Sequence, residues 1–219
     1  MRFKYIKSSH ADVDVFLLNV NDNINFIDYD IIPKEQVSDI EKYRFPIDRN
    51  KLLLSRSFLY SYLNKQHNMD DFTLDYNKYK KPYFRNNTNL SFSISYSGEY
   101  VVVAVSNKHQ IGVDIEYRDG DLKCSEITNI IMSSPEEKYY NQLSTQEEKR
   151  DFFFDVFNTK EAIIKCFGMG LYFDVKTINI LDLSEFTALG YVLKSDLFRF
   201  ALGGYYKTAL IIKHGSNKQ

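Results

Sequence analysis

Across 219 residues, 28 Lys and Arg oppose 29 Asp and Glu for a formal net charge of −1, so there is no overall positive field to draw in nucleic acid. Hydrophobic residues make up 44% of the chain, enough for a substantial core, and nowhere do 18 apolar residues follow one another as a membrane span requires. Cys124 and Cys166 lie far apart outside any Cys-x-x-Cys arrangement, and His10, His67, His109 and His214 are scattered, so neither a disulfide framework nor a zinc site is indicated.

The N-terminal MRFKYIKSSHADVDVFLLNV has no uninterrupted apolar stretch and no small-residue cleavage pattern, so a soluble, cytoplasmic protein is expected. Strand-like runs at 2–6 and 13–20 are rich in β-branched and aromatic residues. Pro33 suits the first turn of a helix over 33–44. Asp48 can cap a longer helix over 49–66, where Leu52, Leu59 and Leu63 form an apolar stripe. Polar and apolar residues alternate through LSFSISYSGEYVVVAVS, 90–106, about a Ser97-Gly98-Glu99 turn, which predicts a hairpin, and QIGVDIEY predicts a strand at 110–117.

Ser134-Pro135-Glu136-Glu137 has the order of a cap, a first-turn proline and acids at a helix's positive end. Thr145 and Glu148 repeat the signal and open a helix expected to run to Phe167 and stop at Gly168. Strands are expected at 173–181, 190–194, 196–202 and 205–213, and a frayed tail at HGSNKQ. Each half thus reads as strands and helices with an antiparallel ending, which predicts an α+β fold of two similar lobes, 1–108 and 109–219, each an antiparallel sheet packed on a long helix.

Along 110–117, Ile111, Val113 and Ile115 share one face of the strand while Gly112, Asp114 and Glu116 share the other. The two carboxylates stand close enough to converge on one hard cation, and Gly112 is expected to leave space beside them. Alone, an Asp-x-Glu pair is usually solvated surface. In FNTKEAIIK, 157–165, Glu161 and Lys165 share a helix face, with Lys160 a quarter-turn away. Alone, that pair reads as an ordinary surface ion pair. Phe152, Phe153, Phe154, Phe157, Ile163, Ile164 and Phe167 surround it, however, and imply a largely buried helix in which charges need a purpose. Three carboxylates and a lysine suit magnesium-assisted phosphate chemistry.

Gly112-Val113-Asp114-Ile115-Glu116 and Phe157-Asn158-Thr159-Lys160-Glu161-Ala162-Ile163-Ile164-Lys165 resemble, in order and spacing, the two hallmark segments of the Sfp-type 4′-phosphopantetheinyl transferases, in the holo-acyl-carrier-protein synthase superfamily. Lys80-Lys81-Pro82 resembles the family's Gly-Lys-Pro segment, and LSFSISYSGEY its Asn-Ile-Ser-His-Ser-Gly segment beside the adenosine and 3′-phosphate. Arg49, Lys51 and Arg56 resemble its basic cluster for coenzyme A phosphates. Tyr96 stands where histidine is common, Lys51 where arginine is, and Lys80 where glycine is.

The resemblance implies a single-chain pseudo-dimer with its active site at the lobe interface, working as a cytoplasmic monomer with no nucleic acid or membrane partner. Asp114, Glu116 and Glu161 would hold Mg2+. Glu161, Lys165 and Asp114 would be catalytic, and a serine of an apo acyl or peptidyl carrier protein would receive 4′-phosphopantetheine from coenzyme A with release of 3′,5′-ADP. Lys81, Pro82, Ser95, Tyr96, Ser97, Arg49, Lys51, Lys160 and Lys165 would contact coenzyme A. The first lobe would hold the nucleotide, and the second would carry the magnesium site and a carrier docking rim around 118–140. Two other classes stay open. A coenzyme A or carrier-binding module without catalysis is suggested by Tyr96 and Lys51, and a magnesium-dependent phosphodiesterase would use the acids but leave Lys81-Pro82 and Ser95 to Gly98 without a role.

Overall fold

In the first half of the chain, Lys4–Lys7 (β1) pairs antiparallel with Val13–Asn19 (β2), and a short helix, Val20–Asn23 (α1), follows under an Asn19 side-chain cap. Next come Lys34–Glu41 (α2), Pro46–His67 (α3) and a hairpin of Leu74–Tyr76 (β3) with Pro82–Phe84 (β4). Ser91–Ser97 (β5) and Tyr100–Ser106 (β6) form the expected hairpin, and the sheet order is β1-β2-β6-β5. The structure is a computed structural model that describes residues 1–7, 12–118, 124–170, 173–183, 186–188, 191–202 and 205–218. His10 and part of the docking rim lie outside them.

The second half runs through Gln110–Tyr117 (β7), Cys124–Ile131 (α4), Ser134–Gln142 (α5), Gln146–Phe167 (α6), Phe186–Ala188 (β8), Tyr191–Leu202 (β9) and Tyr206–Lys218 (β10), with sheet order β7-β10-β9-β8. The molecule is α+β with two lobes, each a four-stranded antiparallel sheet covered by one 22-residue helix.

The packing is helix, sheet, sheet, helix. Leu53, Leu54, Phe58, Leu59 and Leu63 of α3 bury against Phe16, Leu18, Val101, Val103 and Val105. Phe153, Ile163 and Ala162 of α6 bury against Ala209 and Ile211. Between the sheets lies a third apolar layer, in which Val13, Val15, Val102 and Ala104 meet Ile111, Val113, Ile115, Leu210 and Ile212. This is why β6 is apolar on both faces: Val101, Val103 and Val105 meet α3 while Val102 and Ala104 meet the second sheet.

Several boundaries depart from expectation. α3 begins at Pro46 with Phe45 as N-cap, so Asp48 serves as a first-turn acid and not as the cap. Where a strand was expected at 173–181, Asp174 accepts the Lys176 N–H at 3.0 Å and holds Val175–Thr177 in a 3-10 turn. The two strands expected at 190–202 form one, because β10 pairs with β9 from Tyr206 to Lys218 with one register shift between His214 and Ser216, and that pairing carries the tail as strand to Lys218.

Candidate functional site

The site is built where α6 lies directly on β7. A Cβ on Gly112 would stand 2.0 Å from Ala162 O and 2.3 Å from Cys166 N. Gly112 therefore does not open space for a ligand, as its lack of a side chain suggests. It lets helix and strand backbones touch, which brings Asp114 and Glu116 of β7 beside Glu161 and Lys165 of α6. The Thr145–Glu148 capping box and a left-handed Gly168, φ 63°, define the helix ends as anticipated.

Lys165 Nζ donates to Asp114 Oδ1 at 2.5 Å and to Ser95 Oγ at 2.9 Å. Ser95 Oγ donates to the same Asp114 oxygen at 2.8 Å, and Ser97 Oγ donates to Glu116 Oε2 at 2.9 Å. Asp114 is 2% exposed, and its Oδ2, also buried, has no hydrogen-bond partner among the described residues. Burial pushes all three carboxyls above the ordinary carboxylate range. Lys165 opposes the rise at Asp114. Glu116 is pushed up to about 7 by burial and by the charges of Asp114 and Glu161, and Glu161 is raised by burial and by Asp114. Repulsion among these charges adds to the effect of burial. An orphaned carboxylate oxygen among hard oxygen donors suits a cation such as magnesium. Among the described residues, no three His, Cys, Asp or Glu side chains are gathered closely enough to hold a metal as they stand.

Beside the acids a cleft of about 480 Å³ opens between the lobes, lined by Arg56, Tyr79, Lys81, Pro82, Tyr96 and Lys165 among others. Tyr96 shares a hydrogen bond of 2.9 Å with Ser55, and Arg56 Nη1 is buried without a hydrogen-bond partner among the described residues. Arg49 and Lys51 are turned to their own neighbourhood: Arg49 donates to Tyr43 O at 3.1 Å, and Lys51 stands 3.7 Å from Asp48. Of the basic cluster, Arg56 is the residue that lines the cleft.

Two lysines are placed otherwise than the sequence suggests. Lys160 does not face the cleft. Its ammonium, 2% exposed as a residue, is held in the core of the second lobe by Glu136 at 2.6 Å and by the carbonyls of Ile131 and Val175. Helix α5 is capped by Ser133, one residue before the Ser134 expected, in a capping box with Glu136, and Glu136 accepts the Ser133 N–H at 2.7 Å as well as the Lys160 ammonium. Lys81 lines the cleft but spends its ammonium on the carbonyls of Cys166, 2.9 Å, and Ile111, 3.3 Å, at the negative end of α6. Asn77, which the sequence reading passed over, donates to Gly168 O at 3.0 Å and docks the same hairpin on the same helix end.

The model of the 4′-phosphopantetheinyl transferase superfamily matches residues 110–207, and the model of the 4′-phosphopantetheinyl transferase N-terminal region matches 23–108. Between them the two models cover most of the chain, and the chain belongs to the Sfp-type 4′-phosphopantetheinyl transferases of this superfamily. Among similar proteins, 4′-phosphopantetheinyl transferase gsp of Aneurinibacillus migulanus is 29% identical over 67% of this chain and 60% of its own length. The L-aminoadipate-semialdehyde dehydrogenase-phosphopantetheinyl transferase of Candida glabrata is 27% identical over 77% of this chain and 67% of its own, and 4′-phosphopantetheinyl transferase Sfp of Bacillus subtilis is 26% identical over 74% and 71%. The match thus spans about three fifths to seven tenths of these relatives.

Proposed function

We propose that this protein transfers the 4′-phosphopantetheine arm of coenzyme A to a serine of an apo acyl or peptidyl carrier protein, releasing 3′,5′-ADP. The observation that carries the reading is the meeting of Asp114, Glu116, Glu161 and Lys165 beside an interlobe cleft, in a chain whose relatives bear that activity in their names.

In this reading residues 1–108 hold the nucleotide end, with Arg56, Pro82 and Tyr96, which line the cleft, nearest the phosphates and base. Residues 109–219 hold the reacting centre. Asp114, Glu116 and Glu161 would hold Mg2+, which when bound neutralises pyrophosphate charge. Glu161 accepts the proton of the carrier serine as its oxygen bonds to the phosphorus next to pantetheine and the bond from that phosphorus to the bridging oxygen breaks. Lys165 offsets the charge that grows on the departing 3′,5′-ADP. The exposed Ile130 and Tyr139 of α4 and α5 suit an apolar docking rim for the carrier. The two lobes complete the cleft within one chain, which supports a monomer. The buried free thiol of Cys166 suits the reducing cytoplasm, and no helix among the described residues is long and apolar enough to cross a membrane.

Incubated with Mg2+, coenzyme A and an apo carrier, the protein should raise the carrier's mass by about 340 Da, the size of one phosphopantetheine moved in this phosphoryl transfer. Glu161→Gln and Asp114→Asn should each slow the gain at least about 100-fold. An unchanged carrier mass with folded wild-type protein would refute the reading.

A further inference from the structure

The lobes are joined at the site by a row of serine hydroxyls. In β5 the alternation of residues sends Phe92, Ile94 and Tyr96 to the α3 side and leaves Ser91, Ser93, Ser95 and Ser97 facing β7. Each of these hydroxyl oxygens accepts a main-chain N–H of β7: Ile111 on Ser91 at 3.2 Å, Val113 on Ser93 at 3.0 Å, Ile115 on Ser95 at 3.3 Å and Tyr117 on Ser97 at 2.8 Å. The two strands belong to different sheets, so side-chain oxygens do here what carbonyls do within a sheet.

A serine that accepts one N–H still has its own proton to give. On β7 the residue just before each accepted N–H is in turn Gln110, Gly112, Asp114 and Glu116. The first two rungs of the seam therefore meet no carboxylate, whereas the last two do, and there the serine proton is committed to Asp114 Oδ1 and Glu116 Oε2. Each of these serines is pinned by β7 main chain on one side and grips a β7 carboxylate on the other. Ser95 accepts the Lys165 ammonium as well.

We propose, on the strength of the transferase reading, that Ser95 and Ser97 are positioning residues that convert the docking of the lobes into a fixed orientation of Asp114 and Glu116. Ser91 carries the seam without that duty and serves as the internal control. Ser95→Ala and Ser97→Ala should lower kcat about 10- to 100-fold, the range for losing the groups that orient metal-binding side chains. The KM for carrier should stay near wild type, and Ser97→Thr, which keeps the hydroxyl, should restore most of the rate. Ser91→Ala should lose comparable thermal stability and keep its kcat.

Mn2+ binding to the free protein, followed by electron paramagnetic resonance, gives a second readout: affinity should fall in Ser95→Ala and Ser97→Ala but not in Ser91→Ala. If wild type transfers nothing, the transferase reading fails and the Mn2+ comparison still decides the serines. If Ser91→Ala matches Ser95→Ala and Ser97→Ala in both rate and Mn2+ affinity, or if Ser97→Thr is as slow as Ser97→Ala, the proposal is overturned.

Discussion

Glu116 takes part in a repulsion that folding imposes and that a bound cation would relieve. Its carboxyl is held at about 7 against an ordinary 4.5, by burial first and the charge of Asp114 next, with the Ser97 hydrogen bond and Lys165 opposing and Glu161 adding the least. A raised folded value means that the folded state keeps a proton the unfolded chain gives up, so the penalty is absent below pH 4.5, grows as pH rises and is complete above about 7. Without divalent cations, thermal melts should therefore show lower stability at pH 8 than at pH 5. Glu116→Gln should recover roughly 1–2 kcal/mol of that loss, solvent screening having removed part of the full effect, while transfer activity falls. A variant that melts lower than wild type at pH 8 would contradict this. At this scale Asp114, Glu116, Glu161 and Lys165 were legible because strand and helix periodicities put like residues on one face. Lys160 was misread because adjacency to Glu161 along a helix is a turn of about 100°, enough to send one side chain to the cleft and the other into the core beside Glu136.

Among the elements, the β3–β4 hairpin shows how a residue can be read from chemistry that its backbone does not favour. Lys80 lies in the left-handed region at φ 71°, closing a turn in which its N–H reaches Asn77 O at 3.0 Å and Asn77 Oδ1 accepts from both Tyr79 and Lys81 at 2.9 Å. Glycine adopts that conformation without steric cost, which accounts for its frequency at this place in the resembling family. Lys80→Gly should raise stability by roughly 0.5–1 kcal/mol, offset in part by the freer unfolded chain, with the KM for coenzyme A telling whether the side chain also matters for binding. A loss of stability of that size would show that the strain is illusory. Helix α6 could be read from its caps, α3 from its apolar stripe although not from its cap, and the 90–117 strands from alternation. Three-residue strands such as β3 and β4 carry no periodicity to read, and the 3-10 turn at Val175–Thr177 depended on one aspartate side chain competing with a sheet.

For the molecule as a whole, the joining of α6 to β7 is the contact on which the site depends. Gly112→Ala would press a methyl carbon into main-chain atoms of Ala162 and Cys166, which cannot rotate away as a side chain can. The helix must shift, at a cost on the order of 3 kcal/mol. Melts should fall accordingly, and transfer by the remaining folded protein should fall further than in a core variant of equal stability, since Glu161 and Lys165 move with the helix. Two lobes were legible from the repeated order of elements. The serine seam was not: the sequence reading gave Ser95 and Ser97 to coenzyme A by resemblance, and alternation along one strand has no means of knowing that a strand of a second sheet faces its serines.

The layer of Val13, Val15, Val102 and Ala104 against Ile111, Val113, Leu210 and Ile212 has a further meaning. Arg56 rides on one lobe and the acidic cluster on the other, so the thickness of this greasy filling acts as a gauge block for the distance between them, which in the proposed transferase reading is the distance from nucleotide to reacting phosphorus. Interiors packed as densely as crystals hold such a dimension to a fraction of an ångström, and residues that never touch a substrate become its calibration.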